Sequence, residues 1–153
     1  MKRKISLSMC CIAAFSVLIT ALMISLVLYN RNYKNMTNYI QNEAEYMAAA
    51  MNYNGVEYLD SVKDVSPSRI TWIANDGNVI FDNSGKKMEN HSDRSEFKEA
   101  IKSGIGESSR LSETLGKKTY YYAILMNDGT VLRISDTTSS IFSDIFNSLP
   151  YLI

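Results

Sequence analysis

The sequence predicts an α+β protein: a membrane-spanning helix continuing into a long helix, then a five-stranded antiparallel sheet with helices on one face. Ile5 to Asn30 contains no charged residue. From Asn32 to Asn52 apolar side chains recur at threes and fours, the spacing of one helical face. From Arg69 onward the pattern changes to β-branched and aromatic runs broken by two Asn-Asp-Gly turns, the mark of paired strands.

The charge-free stretch is long enough to cross a bilayer core, which takes ~20 apolar residues. In lipid every peptide group must be satisfied within the segment, so a single span is a helix. Ser6, Ser8, Ser16, Thr20 and Ser25 are tolerated because their hydroxyls bond back to the preceding turn. The run exceeds the ~7–15 residues of a cleavable signal core and no small-x-small site follows it, so the span is expected to stay as an anchor. Met9 before Cys10 also argues against a lipoprotein processing site. Lys2, Arg3 and Lys4 precede the span; Arg31 and Lys34 follow it and are soon offset by Glu43 and Glu45. The positive-inside bias places residues 1–4 in the cytoplasm, the span at 5–30, and the remainder outside.

Composition narrows the rest. Both cysteines, Cys10 and Cys11, fall inside the span. The outer part therefore has no disulfide and must be held by its core. About 120 residues remain outside the anchor, enough for one modest domain. Sixteen basic residues balance sixteen acidic ones, and no basic stripe marks a nucleic-acid partner.

Residues 31–68 form the membrane-proximal helical segment. Tyr33, Met36, Ile40, Ala44, Met47 and Met51 make one stripe, and Tyr39, Tyr46 and Tyr53 make a second at seven-residue spacing. The first stripe has two readings. Either Met36, Ile40, Ala44, Met47 and Met51 form the seam and signal helix of a homodimer, or they pack on the domain's own sheet. Asn54-Gly55 breaks the helix, Val56 to Val62 predicts a short second one, and Pro67 closes the helical part.

Residues 69–138 form the sheet core. Arg69 to Ala74 and Val79 to Asp82 flank Asn75-Asp76-Gly77-Asn78, and an Asp-Gly hairpin turn is expected to place both residues at positive φ. Tyr120 to Met126 and Thr130 to Ser135 flank Asn127-Asp128-Gly129 in the same way. Ser108 to Ser112 is a weaker strand leading through Leu115-Gly116 into the tyrosine strand. Three strands joined by tight turns are antiparallel neighbours. Between the first hairpin and that strand lies a short helix, with Asp93 and Glu96 as its capping box, Phe97, Ala100 and Ile101 on its apolar face and Gly104 at its end. Residues 139–153 turn apolar again. They read as the start of a second, truncated span, or as a short amphipathic helix on the outer membrane surface.

Catalytic chemistry is thin. The single histidine, His91, has no second histidine or outer cysteine with which to hold a metal. No nucleophile has a base-and-orienter pair, and no phosphate-binding glycine loop occurs. Neither a cofactor nor enzymatic activity is expected. Arg94, Arg110 and Arg133 are the residues of interest. Converged, with His91 and Asp82 nearby, they make a small carboxylate- or phosphate-binding pocket; otherwise each pairs with a local acid such as Asp82, Glu113 or Asp136.

The pieces RITWI, DGNVIFDN, MENHSDRSEF, GIGESSR and DGTVLRIS, within Arg69 to Ser135, resemble the extracytoplasmic sensor of bacterial membrane histidine kinases. The similarity is to the phosphate-regulon and cell-wall-sensing types, whose sensor is a PAS-like, single-Cache domain. The resemblance implies a homodimeric receptor in the cell membrane that answers a small-molecule or envelope-protein stimulus and controls a cytoplasmic kinase. That kinase, and through it a response regulator, would be reached only by parts absent from these residues. Alternatives are the input domain of a chemoreceptor or cyclic-dinucleotide enzyme, or a structural envelope protein. The last fits poorly, because a pilin-like anchor wants an early acidic residue and a Gly-Phe processing site.

Overall fold

The computed structural model describes residues 2–85, 88–112 and 117–138. Helix α1 runs unbroken from Lys2 to Asn54, uninterrupted by proline or glycine. Its first half leaves its apolar side chains bare, Leu18 being 68% exposed. By length and composition this helix can cross a membrane. The hydroxyls of Ser8, Thr20 and Ser25 donate back to the carbonyls of Ile5, Ser16 and Ala21, each at 2.9 Å, so three of the five hydroxyls expected to bond back within the apolar stretch do so.

The outer half of α1 is part of a folded core. Ile40, Ala44, Met47, Ala48 and Met51 are buried with Leu59 of the short helix α2 (Glu57–Val62), which folds back after Gly55. The stripe is therefore spent within the chain. Ile40, Ala44, Met47 and Met51 are not a free dimer seam, and Met36 packs beside them half-buried. Burying each large side chain contributes about 1.5–3 kcal/mol. Tyr46 and Tyr53, on the second stripe, stay exposed.

The sheet comprises β1 (Arg69–Ile73), β2 (Val79–Asp82), β3 (Ile105–Ser112), β4 (Lys117–Leu125) and β5 (Val131–Thr137) in the order β2-β1-β5-β4-β3, antiparallel throughout. The last strand lies at the centre. Its register sets Arg133 opposite Thr71 on one side and Ala123 on the other.

Strand alternation divides the side chains between two faces. Ile70, Tyr120, Tyr122, Leu132 and Ile134 meet α1 and α2. On the opposite face Ile73, Ala123 and Val131 meet Phe97 and Ala100 of α3 (Ser95–Ser103). The α+β architecture matches expectation, but its layering differs: helices cover both faces. The 3.6-residue pattern marks which side of a helix is apolar and carries no information about which face of the sheet receives it.

The hairpin turns also differ in detail. Gly77 donates to the Ala74 carbonyl at 2.9 Å and Gly129 to that of Met126 at 3.1 Å, and only the glycines of the Asn-Asp-Gly turns have positive φ. Each is thus a three-residue loop ending in a left-handed glycine, with Asp76 and Asp128 in ordinary conformations. The aspartates instead accept from the backbone two residues on, Asp76 from Asn78 at 3.0 Å and Asp128 from Thr130 at 2.9 Å.

Polar clasps fasten α1 to the rest. Gln41 donates to the Tyr120 hydroxyl at 3.0 Å and to Glu107 at 3.2 Å, while Glu43 accepts from Ser66 at 2.7 Å and from Ser68. The expected second span, residues 139–153, and the candidate partner Glu113 lie outside the described residues.

Candidate functional site: an arginine-lined pocket

The face that receives α3 carries charge where a core would be apolar. Thr71, Arg133 and Tyr121 all point to it, as do Ser108 and Arg110 near the sheet edge. Glu96 enters from α3. It is fully buried and accepts from Arg133 at 3.1 Å, from Ser108 at 2.7 Å and from Arg110. Burial alone would raise its carboxyl pKa, but bonds from Arg110 and Ser108 hold it down to about 2.

Glu96 is therefore no capping residue. The N-terminus of α3 has Arg94 as its cap with no side-chain bond, and Asp93 reaches Lys98 at 3.3 Å instead. Once buried, Arg133 requires a carboxylate beside it, because an unpaired charge there costs more than the ~1 kcal/mol that a helix cap contributes. Gly104 ends the helix as expected, in the left-handed region. Gly106 on β3 is needed for approach: a Cβ there would overlap the Glu96 carbonyl oxygen.

Arg133 is 3% exposed and also donates to the Thr71 hydroxyl at 3.2 Å. Burial pushes its pKa below the ordinary arginine value while Glu96 opposes the shift. For Arg110 burial acts in the same direction, yet the bond and charge of Glu96 together with Tyr121 outweigh it and the pKa is raised. The guanidiniums of Arg110 and Arg133 lie 4.1 and 5.3 Å from the Tyr121 ring centroid, a cation–π arrangement that spaces them. Asp82 stands one layer back. It accepts from Arg69 at 3.0 Å and Thr71 at 2.9 Å, and despite burial its pKa is lowered by bonds from Ser84, Thr71 and Arg69.

His91 completes the wall. Its backbone donates to Gly77 at 2.7 Å and accepts from Arg94 at 3.0 Å, which pins its segment between the first hairpin and α3. The imidazole is 4% exposed and its pKa is lowered to about 4, by burial first and then by Arg133, Arg94 and Arg69. The ring is neutral at pH 7.

A half-open pocket of about 140 Å³ is lined by Arg69, Met88, His91, Arg94, Arg110, Tyr121 and Arg133. Of the sequence-derived site residues, Arg94, Arg110, Arg133 and His91 line it, and Asp82 supports it through Arg69. Arg110 and Arg133 share Glu96 rather than pairing with Asp82 or Asp136. Sequence reasoning passed over Arg69, Thr71, Glu96, Ser108 and Tyr121. Strand parity would have found three of them, since Arg69, Thr71 and Tyr121 follow the alternation that places Ile73 and Ala123 on the same face. Among the described residues no group of histidine, cysteine and carboxylate side chains is arranged to hold a metal ion.

The family model for single Cache-like domains matches residues 30–135, more than half of the chain. This chain belongs to the single Cache-like family. The match begins at the outer end of the apolar stretch and takes in the α1 half that packs on the sheet, so helix and sheet form one unit, as their shared core shows. Single Cache-like domains are a sensor-domain type of membrane receptors and histidine kinases. An N-terminal apolar helix with such a domain fits a membrane protein with an extracellular domain. No curated protein matches the chain significantly.

Proposed function

We propose that this chain is the extracytoplasmic signal-input portion of a two-component sensor histidine kinase. Residues 1–4 lie in the cytoplasm, 5–30 in the membrane and the Cache-like domain outside. The portion itself catalyses nothing; phosphotransfer belongs to a cytoplasmic module, and a response regulator is met only there. The observation that carries this reading is the continuity of α1. One helix crosses the apolar stretch and then forms a wall of the sensor core.

Transmission requires two states with different contacts to the stimulus. A shift of β4 and β5 on one side of the sheet moves the α1 residues packed on the other. Gln41 and Glu43 fasten the helix at the same level. With no glycine or proline between Asn30 and Asn54, α1 has no hinge to absorb the displacement, and it reaches the span. Receptor homodimers convert such a displacement into a change between two copies, and the exposed Tyr39, Tyr46 and Tyr53 line is the free side of α1 for that contact. A chemoreceptor or cyclic-dinucleotide enzyme would use the same input device.

The test is a chimera joining this chain at Ile153 to the second span and cytoplasmic part of a histidine kinase, reconstituted in liposomes. Replacing Gln41 and Glu43 together by alanine, which loosens the helix from the sheet, should change autophosphorylation. Autophosphorylation indifferent to those replacements and to Gly inserted after Asn35 would overturn the reading.

A further inference from the structure

The pocket's charge and size are more specific than a general sensing role requires. Four guanidiniums, of Arg69, Arg94, Arg110 and Arg133, line one cavity of about 140 Å³. Two carboxylates, Asp82 on Arg69 and Glu96 on Arg110 and Arg133, are in contact with them. Arg94 makes no ion pair among the described residues. Among the described residues, two positive charges at this wall thus have no carboxylate partner.

Two buried polar atoms there also lack partners: Nε of Arg133 and Nδ1 of His91. A buried unsatisfied donor is unfavourable by about 1–3 kcal/mol. Natural cores rarely retain one beside a second unless a ligand or water supplies the missing bond. Arg133 can only donate, and the imidazole donates in its Nδ1–H tautomer. Arg133 Nε therefore seeks an oxygen acceptor, as do the guanidinium forks around it, and the imidazole can join them in that tautomer.

We infer that the cavity binds a compact dianion whose two charges are carried on oxygens, of the size of inorganic phosphate or a three-carbon dicarboxylate. This rests on the input-module reading and names the ligand class for that module. A dianion matches in number the two guanidinium charges left over by Asp82 and Glu96, which a monoanion does not. The anion bridges Arg94, before α3, to Arg133 on β5, so its arrival draws α3 and its preceding loop toward the central strand. The strand in turn packs on α1.

The experiment uses the full chain in an uncharged maltoside micelle, in a chloride buffer free of phosphate and carboxylate, at constant ionic strength and pH 7. Thermal unfolding is followed by fluorescence of Trp72, the single tryptophan, which sits on β1. Inorganic phosphate or malonate should raise the midpoint saturably, and acetate at equal ionic strength should not. Phosphate alone acting identifies a tetrahedral oxoanion, malonate alone a dicarboxylate, and both identify charge as the selector; all three support the inference. Arg94→Gln removes an exposed side chain without a structural partner, so the variant folds, and its half-saturating concentration should rise roughly tenfold, the loss of one charge-assisted bond. No saturable shift with either dianion, or an equal response in Arg94→Gln, would overturn it. The input-module reading survives that result, because it is decided by the chimera and by topology.

Discussion

Replacing Glu96 with glutamine isolates the electrostatic centre of the domain. The shape is kept and one carbonyl acceptor remains, but the charge shared by Arg110 and Arg133 is gone. Arg133, nearly sealed from solvent, then holds an uncompensated charge in the interior. Removing one member of a buried ion pair destabilises by about 3–5 kcal/mol. Arg110 is a third exposed and can turn toward water, so it adds little. The lower end of that range applies, about 3 kcal/mol. For a domain of this size each kcal/mol moves the melting midpoint by about 4–8 °C, so a drop of roughly 12–24 °C is expected. Trp72 is the reporter, its indole N–H donating to the Thr130 hydroxyl at 2.7 Å across the sheet. A second variant, Glu96→Leu with Arg133→Met, replaces the pair by apolar side chains and should recover most of the loss. A midpoint for Glu96→Gln within a degree or two of the native chain would refute the reasoning, because it would mean that water reaches Arg133.

Gly106→Ala should destabilise by about 1–3 kcal/mol, since its methyl group must displace α3 at Glu96; an unchanged melt would place α3 elsewhere. Ile40→Ala, at a fully buried position under the sheet, should lose about 2–5 kcal/mol in the same assay, whereas Tyr53→Ala on the exposed line should lose almost nothing. Gly77→Ala combines a positive φ with a clash against Ser92 and should be strongly destabilising, while Asp76→Ala, at negative φ, should lose only its turn bond; equal losses would restore a turn with two left-handed residues. Stability should also fall in two acid steps. His91 is neutral when folded with its pKa lowered to about 4, so the unfolded chain binds the extra proton between about pH 6.5 and 4 and stability drops there. Arg133 of β5, Arg94 before α3 and Arg69 of β1 hold that pKa down, and Glu96 of α3 opposes them. Glu96 itself contributes above its unfolded value near 4.5, a contribution lost as the pH falls through about 2. His91→Gln should flatten the upper step and leave the lower one; midpoints measured from pH 7 to about 2 check both.

The span, the two helical stripes and the two hairpins were legible because each is a local pattern. Charge-free length marks the first, periodicity the second, and Asn-Asp-Gly between β-branched runs the third. The convergence of Arg94, Arg110 and Arg133 was legible only as one of two alternatives, since nothing local brings three separated arginines together. The central position of β5 does so, by setting Arg133 between the strands that carry Thr71 and Ala123. Glu96 was misread for the same reason. Three residues after Asp93 and at a helix start, it fits a capping box, and only the sheet behind it reveals a stronger partner. The stripe through Ile40 and Met47 has the spacing of a dimer seam and of a core helix alike, and the sheet decided between them. Local sequence fixes what an element is; which surfaces meet depends on strand order, which is non-local.

The central claim is that a rigid helix joins a membrane span to a sensor domain outside the cell. Its most direct test places a single cysteine at Asn78, on the exposed hairpin, in a chain whose Cys10 and Cys11 are replaced by alanine. Intact cells are then treated with a membrane-impermeant maleimide. Labelling of Asn78→Cys without lysis is the predicted result. Labelling only after the cells are broken open would place the domain in the cytoplasm and contradict the account.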